Sequence, residues 1–127
     1  MVGRSVVRGI RGAITVSQNK ASEITQATRE LLIKMAKANN LKKEDIASVY
    51  FTLTPDLNAV FPASAARELG WNSVPLMGSV EVDVPGAVPF CIRVLMHVNT
   101  ERTQAEIKHI YLREARILRA DLTNDNT

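Results

Sequence analysis

Two apolar, strand-like runs of this chain have arginines inside them, and this limits how the strands can pack. Val7-Arg8-Gly9-Ile10-Arg11-Gly12-Ala13-Ile14 is one run, and Cys91-Ile92-Arg93-Val94-Leu95-Met96 is the other. Val80-Glu81-Val82-Asp83-Val84 interleaves acids in a similar setting. A buried charge is costly unless it is paired. An anionic ligand can be the partner, and the planar fork of arginine matches a carboxylate bidentately. The pattern therefore asks which small anion these strands meet.

The chain has 127 residues, which suits a single domain spanning 1–127. Apolar residues make up 46% of it, enough for a core, and aromatics only 5%, so the core is mostly aliphatic. The net charge of +3 is modest, and acids and bases are interspersed. A nucleic-acid binder would more often show a continuous basic face with stacking aromatics, so no nucleic-acid partner is expected. Cys91 is the single cysteine, which excludes an intramolecular disulfide and disfavours a secreted scaffold. Arg4, Arg8 and Arg11 interrupt any signal-peptide core, and no apolar stretch approaches the ~18 residues of a membrane span. The expectation is a cytoplasmic protein without membrane partners.

Residues 6–16 read as a strand, with Val7, Gly9, Arg11 and Ala13 on one face and Arg8, Ile10, Gly12 and Ile14 on the other. A helix follows from an N-cap at Ser22 to about Asn39, with Ile24, Ala27, Leu31, Met35 and Ala38 as its apolar stripe. Residues 42–46 suggest a helical turn and 48–54 a second strand. A short helix is expected at 62–69, opened by Pro62 and stopped by Gly70. Extended stretches follow at 74–84 and 91–99, with a turn at Pro85-Gly86 between them. Thr103-Gln104-Ala105-Glu106 fits a capping box, which predicts a helix over 103–110 and then a strand over 111–118. From Asp121 onward the chain is polar, so a flexible tail from about residue 120 is expected. Helices and strands mix without strict alternation, so the fold class is α+β.

Ile92, Val94, Met96 and Val98 form the core side of one strand. Cys91, Arg93, Leu95, His97 and Asn99 form a face too polar for a core. On this segment alone, Arg93 fits either an exposed strand arginine or an oxyanion donor in a cleft or subunit interface. Glu81 fits a solvated edge-strand carboxylate, with Asp83 on its face, or an acceptor for a ligand hydroxyl. Arg11 fits an internal salt bridge, with Glu81 as a candidate partner, or an anion-binding role. Arg67 looks like a surface helix residue, and Tyr111 like a core tyrosine or a carboxylate donor. His97 and His109 make no metal spacing with acids or Cys91, so neither a metal nor another cofactor is expected. No nucleophile is evident. Chemistry driven by positioning and charge stabilisation suits such residues.

Arg8-Gly9-Ile10-Arg11-Gly12-Ala13, Thr54-Pro55-Asp56-Leu57 with Ala59-Val60-Phe61-Pro62-Ala63, Cys91-Ile92-Arg93-Val94 and His109-Ile110-Tyr111-Leu112 occur in order along the chain. Together they resemble the small monofunctional chorismate mutases of the trimeric barrel class, over about residues 6–122. The resemblance implies a mixed β-sheet with helices packed on one face, a ferredoxin-like type of subunit. Three subunits would form a pseudo-α/β barrel with an active site at each interface. It also implies the isomerisation of chorismate to prephenate, on the way to phenylalanine and tyrosine. Arg11 would bind a substrate carboxylate, Arg93 would donate to the ether oxygen of the breaking bond, and Glu81 would accept from the ring hydroxyl. Tyr111 would help hold a carboxylate. Phe61 and Arg67 would come from the neighbouring subunit, and Leu118 and Arg119 would help close the pocket. The family often has a cysteine three residues before the glutamate, where this chain has Gly78, and Glu68-Leu69-Gly70-Trp71 is compact beside the family pattern. Two other readings compete: a trimeric imine or enamine deaminase, and a non-enzymatic oligomer that binds anions or nucleic acid.

Overall fold

The computed structural model describes residues 4–119, with Arg119 described by its backbone alone. Strand β1 (Val6–Thr15) leads into helix α1 (Ala21–Ala38), and strand β2 (Ile46–Leu53) follows. Helix α2 (Ala63–Glu68), then strands β3 (Leu76–Val80), β4 (Cys91–Thr100) and β5 (Ile110–Leu112), complete the main elements. The five strands form one mixed sheet in the order β3-β2-β4-β1-β5. β1 pairs antiparallel with β4 along its whole length, from Val6 opposite Thr100 to Thr15 opposite Cys91. β2 is antiparallel to β4, whereas β3 on β2 and β5 on β1 are parallel. The α+β class follows, as the residue pattern implied.

One face of the sheet carries the main core. Ile10, Ile14, Ile92, Val94, Met96 and Val98 from the strands meet Ile24, Ala27, Leu31, Leu32 and Met35 from α1. Transfer of this apolar surface out of water is what holds helix to sheet. Gly12 sets the depth of the contact, because a Cβ there would overlap Met35 Sδ and crowd Leu31. A smaller cluster of Ala13, Cys91 and Ala115 lies apart, with Tyr111 and Leu118 packed against it.

Helix α1 starts earlier than its sequence suggests. Its N-cap is Lys20 rather than Ser22, without a side-chain capping bond, because Ile24 N–H already reaches the Lys20 carbonyl. It stops as expected at Asn39-Asn40. Asn40 takes φ 54°, and Leu41 N–H bonds to Ala36 O while Asn40 N–H bonds to Lys37 O, a Schellman closure.

Three expected elements are shorter than the residue pattern predicts. The stretch 74–84 pairs only over Leu76–Val80. Beyond those residues Val49 N–H bonds to Pro75 O at one end and Glu81 N–H to Leu53 O at the other, where β2 ends. Asp83 therefore lies beyond the strand and is exposed. The predicted helix at 103–110 is a single 3₁₀ turn at Gln104–Glu106. Its capping box forms, but Asn39 then captures the chain. Lys108 N–H donates to Asn39 Oδ1 at 2.8 Å, and Asn39 Nδ2 donates to Lys108 O at 2.9 Å. The predicted strand at 111–118 is β5 followed by a 3₁₀ turn at Arg113–Arg119, entered through Arg113 at φ 57°. β1 has ended by then. Arg113 Nη1 donates to Thr15 O and Glu114 N–H to Thr15 Oγ1 instead of extending the ladder. The tail from residue 120 lies outside the described residues. No helix among the described residues is long and apolar enough to cross a membrane.

Candidate active site

Strand register brings the charged side chains to one face. Ser79, Thr52, Arg93, Ala13 and Tyr111 are successive partners across β3, β2, β4, β1 and β5. Met77, Tyr50, Leu95 and Arg11 form the row two residues along. Partners in a ladder project to the same side. This is the face opposite the α1 core, since Ile92, Val94 and Met96 turn the other way and are buried. A pocket of about 270 Å³ opens on it, and its walls include Arg11, Tyr50, Thr52, Glu81, Arg93, Leu95, Tyr111 and Leu118.

Arg93 is 45% exposed at its side chain and Glu81 23%, with Arg93 Nε 3.8 Å from Glu81 Oε1. The same carboxylate oxygen accepts from Thr52 Oγ1 at 2.5 Å, and Oε2 accepts from Val82 N–H at 3.3 Å. Glu81 is thus a held carboxylate rather than a freely solvated one. Its ion pair is with Arg93, and among the described residues no acidic side chain forms an ion pair with Arg11. The internal Arg11–Glu81 salt bridge considered from sequence is absent. Two guanidinium groups and one carboxylate therefore face a common space. Such a set suits a ligand bearing both carboxylates and a hydroxyl.

Cys91 closes the row below the pocket. Burial pushes its thiol up, while the Arg93 guanidinium pulls it back by charge and by hydrogen bonding. It is buried and free, so it acts as packing. Among the described residues no group of three or more His, Cys, Asp or Glu is placed to hold a metal ion.

Phe61 and Arg67 are not in this pocket. Phe61 is 78% exposed and lines a separate apolar groove of about 520 Å³ at the free edge of β3, beside Leu53, Leu57, Pro62, Gly78 and Val80. Arg67 is exposed on α2. The Arg119 side chain lies outside what is described. Thr52 and Tyr50 escaped the residue reading altogether. Both look like ordinary polar strand residues, and only the pairing of Thr52 with Arg93 and Ser79 shows what Thr52 faces. Alternation along β2 could have placed Thr52 and Tyr50 on one face, but not beside Glu81.

Comparison with known proteins identifies the family. The chain matches the family model for chorismate mutase type I over residues 7–122. It is 53% identical over 118 residues to Chorismate mutase AroH of Thermus thermophilus, covering 92% of this chain and 97% of that one. It is 47% identical over 119 residues to Chorismate mutase AroH of Bacillus subtilis (strain 168), covering 93% and 94%. A solved chorismate mutase from Clostridium thermocellum superposes with a TM-score of 0.85 at 53% identity, covering 86% of this chain and 97% of that one. The chain belongs to the type I chorismate mutase family.

Proposed function

We propose that this protein is a chorismate mutase, an isomerase that rearranges chorismate to prephenate for aromatic amino acid synthesis. One observation carries the assignment: Arg11, Arg93 and Glu81 face a single pocket in a chain that belongs to this family. The reaction is intramolecular and needs no nucleophile. Its C–O bond breaks ahead of C–C bond formation, so negative charge grows on the ether oxygen. Arg93 donates to that oxygen, and Arg11 holds a carboxylate with help from Tyr111. Glu81 accepts from the ring hydroxyl. Such fixed charges lower the barrier by matching the transition state better than the ground state. The protein works in the cytoplasm.

The working form is a homotrimer. Phe61 and Arg67 stand outside the pocket of their own chain, and Met77 and Val80 of the edge strand β3, with Val82 just after it, are exposed apolar residues. In the trimer, Phe61 and Arg67 complete a neighbour's pocket, and Leu118 and Arg119 cover its mouth. The decisive assay follows the loss of chorismate absorbance with prephenate as the only product; an unchanged spectrum rejects the activity. For the assembly, Arg67→Ala and Arg93→Ala chains are unfolded together and refolded. Mixed trimers regain some sites with both arginines and recover activity above either parent. Light scattering that finds an active monomer rejects the shared site.

A further inference from the structure

Residues 102–114 run along the outer edge of β1, the side away from β4, yet only Ile110–Leu112 do so as a strand. Elsewhere side chains and single carbonyls stand in for a neighbouring strand. Arg8 Nε donates to the Arg102 carbonyl at 3.0 Å. The Gln104 side chain meets Gly9 at both its polar atoms: Nε2 donates to Gly9 O at 2.7 Å, and Oε1 accepts from Gly9 N–H at 3.2 Å. His109 Nδ1 accepts from Arg11 N–H at 2.9 Å. The imidazole therefore does for Arg11 what a strand carbonyl would do, one residue before the β1–β5 ladder begins at Gly12. An acceptor at Nδ1 requires the neutral ring with its hydrogen on Nε2.

Arg11 needs such an anchor. On its β4 side Arg11 is paired opposite Leu95, but on its other side the β1–β5 ladder begins only at Gly12, so His109 is what meets the Arg11 N–H there. Its guanidinium lies at the end of a long, flexible side chain, and any movement of its Cα carries to the pocket. A small displacement of a positioning group costs much of its effect.

We propose that His109 is a positioning residue for Arg11, acting through the main chain and supported by Gln104. This rests on the reading of Arg11 as a carboxylate binder. His109→Phe keeps a ring and loses the acceptor. His109→Asn loses the ring and keeps an acceptor at the Nδ1 position. KM should follow the acceptor: about 3–10-fold higher for His109→Phe, the equivalent of one hydrogen bond, and close to native for His109→Asn. In an Arg11→Ala background, His109→Phe should add almost nothing, since pairs that act through one another are not additive. The exchange rate of the Arg11 amide proton, read by NMR, should rise in His109→Phe and not in His109→Asn.

Unchanged amide exchange in His109→Phe overturns the inference. So does a KM that follows the ring, or an equal effect with and without Arg11. If His109→Phe does not fold, His109→Leu takes its place as the variant without an acceptor. Arg11→Ala is the separate control. If it leaves KM untouched, the role given to Arg11 fails, while the amide exchange still reports whether His109 holds that strand.

Discussion

Arg93 Nε stands 3.8 Å from Glu81 Oε1, near enough for attraction and too far for a hydrogen bond. The guanidinium is thus oriented by a carboxylate that does not use up its donors. Thr52 holds that carboxylate from the other side. Arg93 is kept in place and still open to the pocket.

Replacing Arg93 should therefore act on the chemical step. Arg93→Ala is expected to lower kcat by roughly 10²–10³-fold, or about 3–4 kcal/mol, the usual cost of one such donor. Citrulline keeps the shape and loses the charge, so it should be nearly as damaging. Lysine should recover part of the rate if its ammonium reaches the oxygen. Steady-state kinetics decide the matter: a near-normal kcat with raised KM would make Arg93 a binding residue.

Thr52→Val removes the hydroxyl that fixes Glu81 Oε1 while keeping the volume. kcat/KM should fall about 2–10-fold, in line with one hydrogen bond of ~0.5–1.5 kcal/mol. Thr52→Ser should retain most of the activity. If valine and serine behave alike, the hydroxyl plays no part.

Gly12→Ala places a methyl group against Met35 and Leu31 in a filled core. Overpacking of this kind costs about 1–3 kcal/mol. Thermal unfolding at one fixed protein concentration should show a clear drop in Tm. An unchanged Tm would mean that α1 can lift from the sheet without cost.

Cys91 links stability to alkaline pH. Burial raises its folded pKa, chiefly by desolvation of the thiolate. Above the ordinary thiol pKa of ~8.5 the unfolded chain loses this proton and the folded one keeps it. The contribution is therefore whole below that pH and is lost as pH rises through the folded value. Urea unfolding between about pH 7 and 9.5 should show the native protein losing more stability than Cys91→Ala. Parallel curves would refute the linkage.

The alternation in β1 and β4 was readable because each side chain's face is fixed by its place in the strand. Residue order alone put Arg93 on a face too polar for a core and Arg11 on a face with Val7, Gly9 and Ala13. What lay beyond reach was pairing. The residues at 103–110 carry a valid helix start, but a helix there would forfeit the bonds to Asn39, Gly9 and Arg11, and those tertiary partners win. Likewise 111–118 has strand-forming residues and no strand left beside it. Thr52 was missed because its significance comes from Glu81, 29 residues away. Phe61 and Arg67 came from the family resemblance, since neither an exposed phenylalanine nor a helix arginine signals a pocket on another chain.

β1 is made first and paired last. Both of its neighbours come from residues 91–112, so its contacts are among the longest-range in the molecule. At ~5–20 residues per second, a strand of valines and isoleucines waits on the order of 5–20 s on the ribosome without a partner. Such a segment is a hazard for self-association, and charges within it are the usual guard. Arg8 and Arg11 are those charges. In the folded chain Arg8 meets the Arg102 carbonyl and Arg11 lines the pocket; in the nascent strand the same two charges oppose self-association.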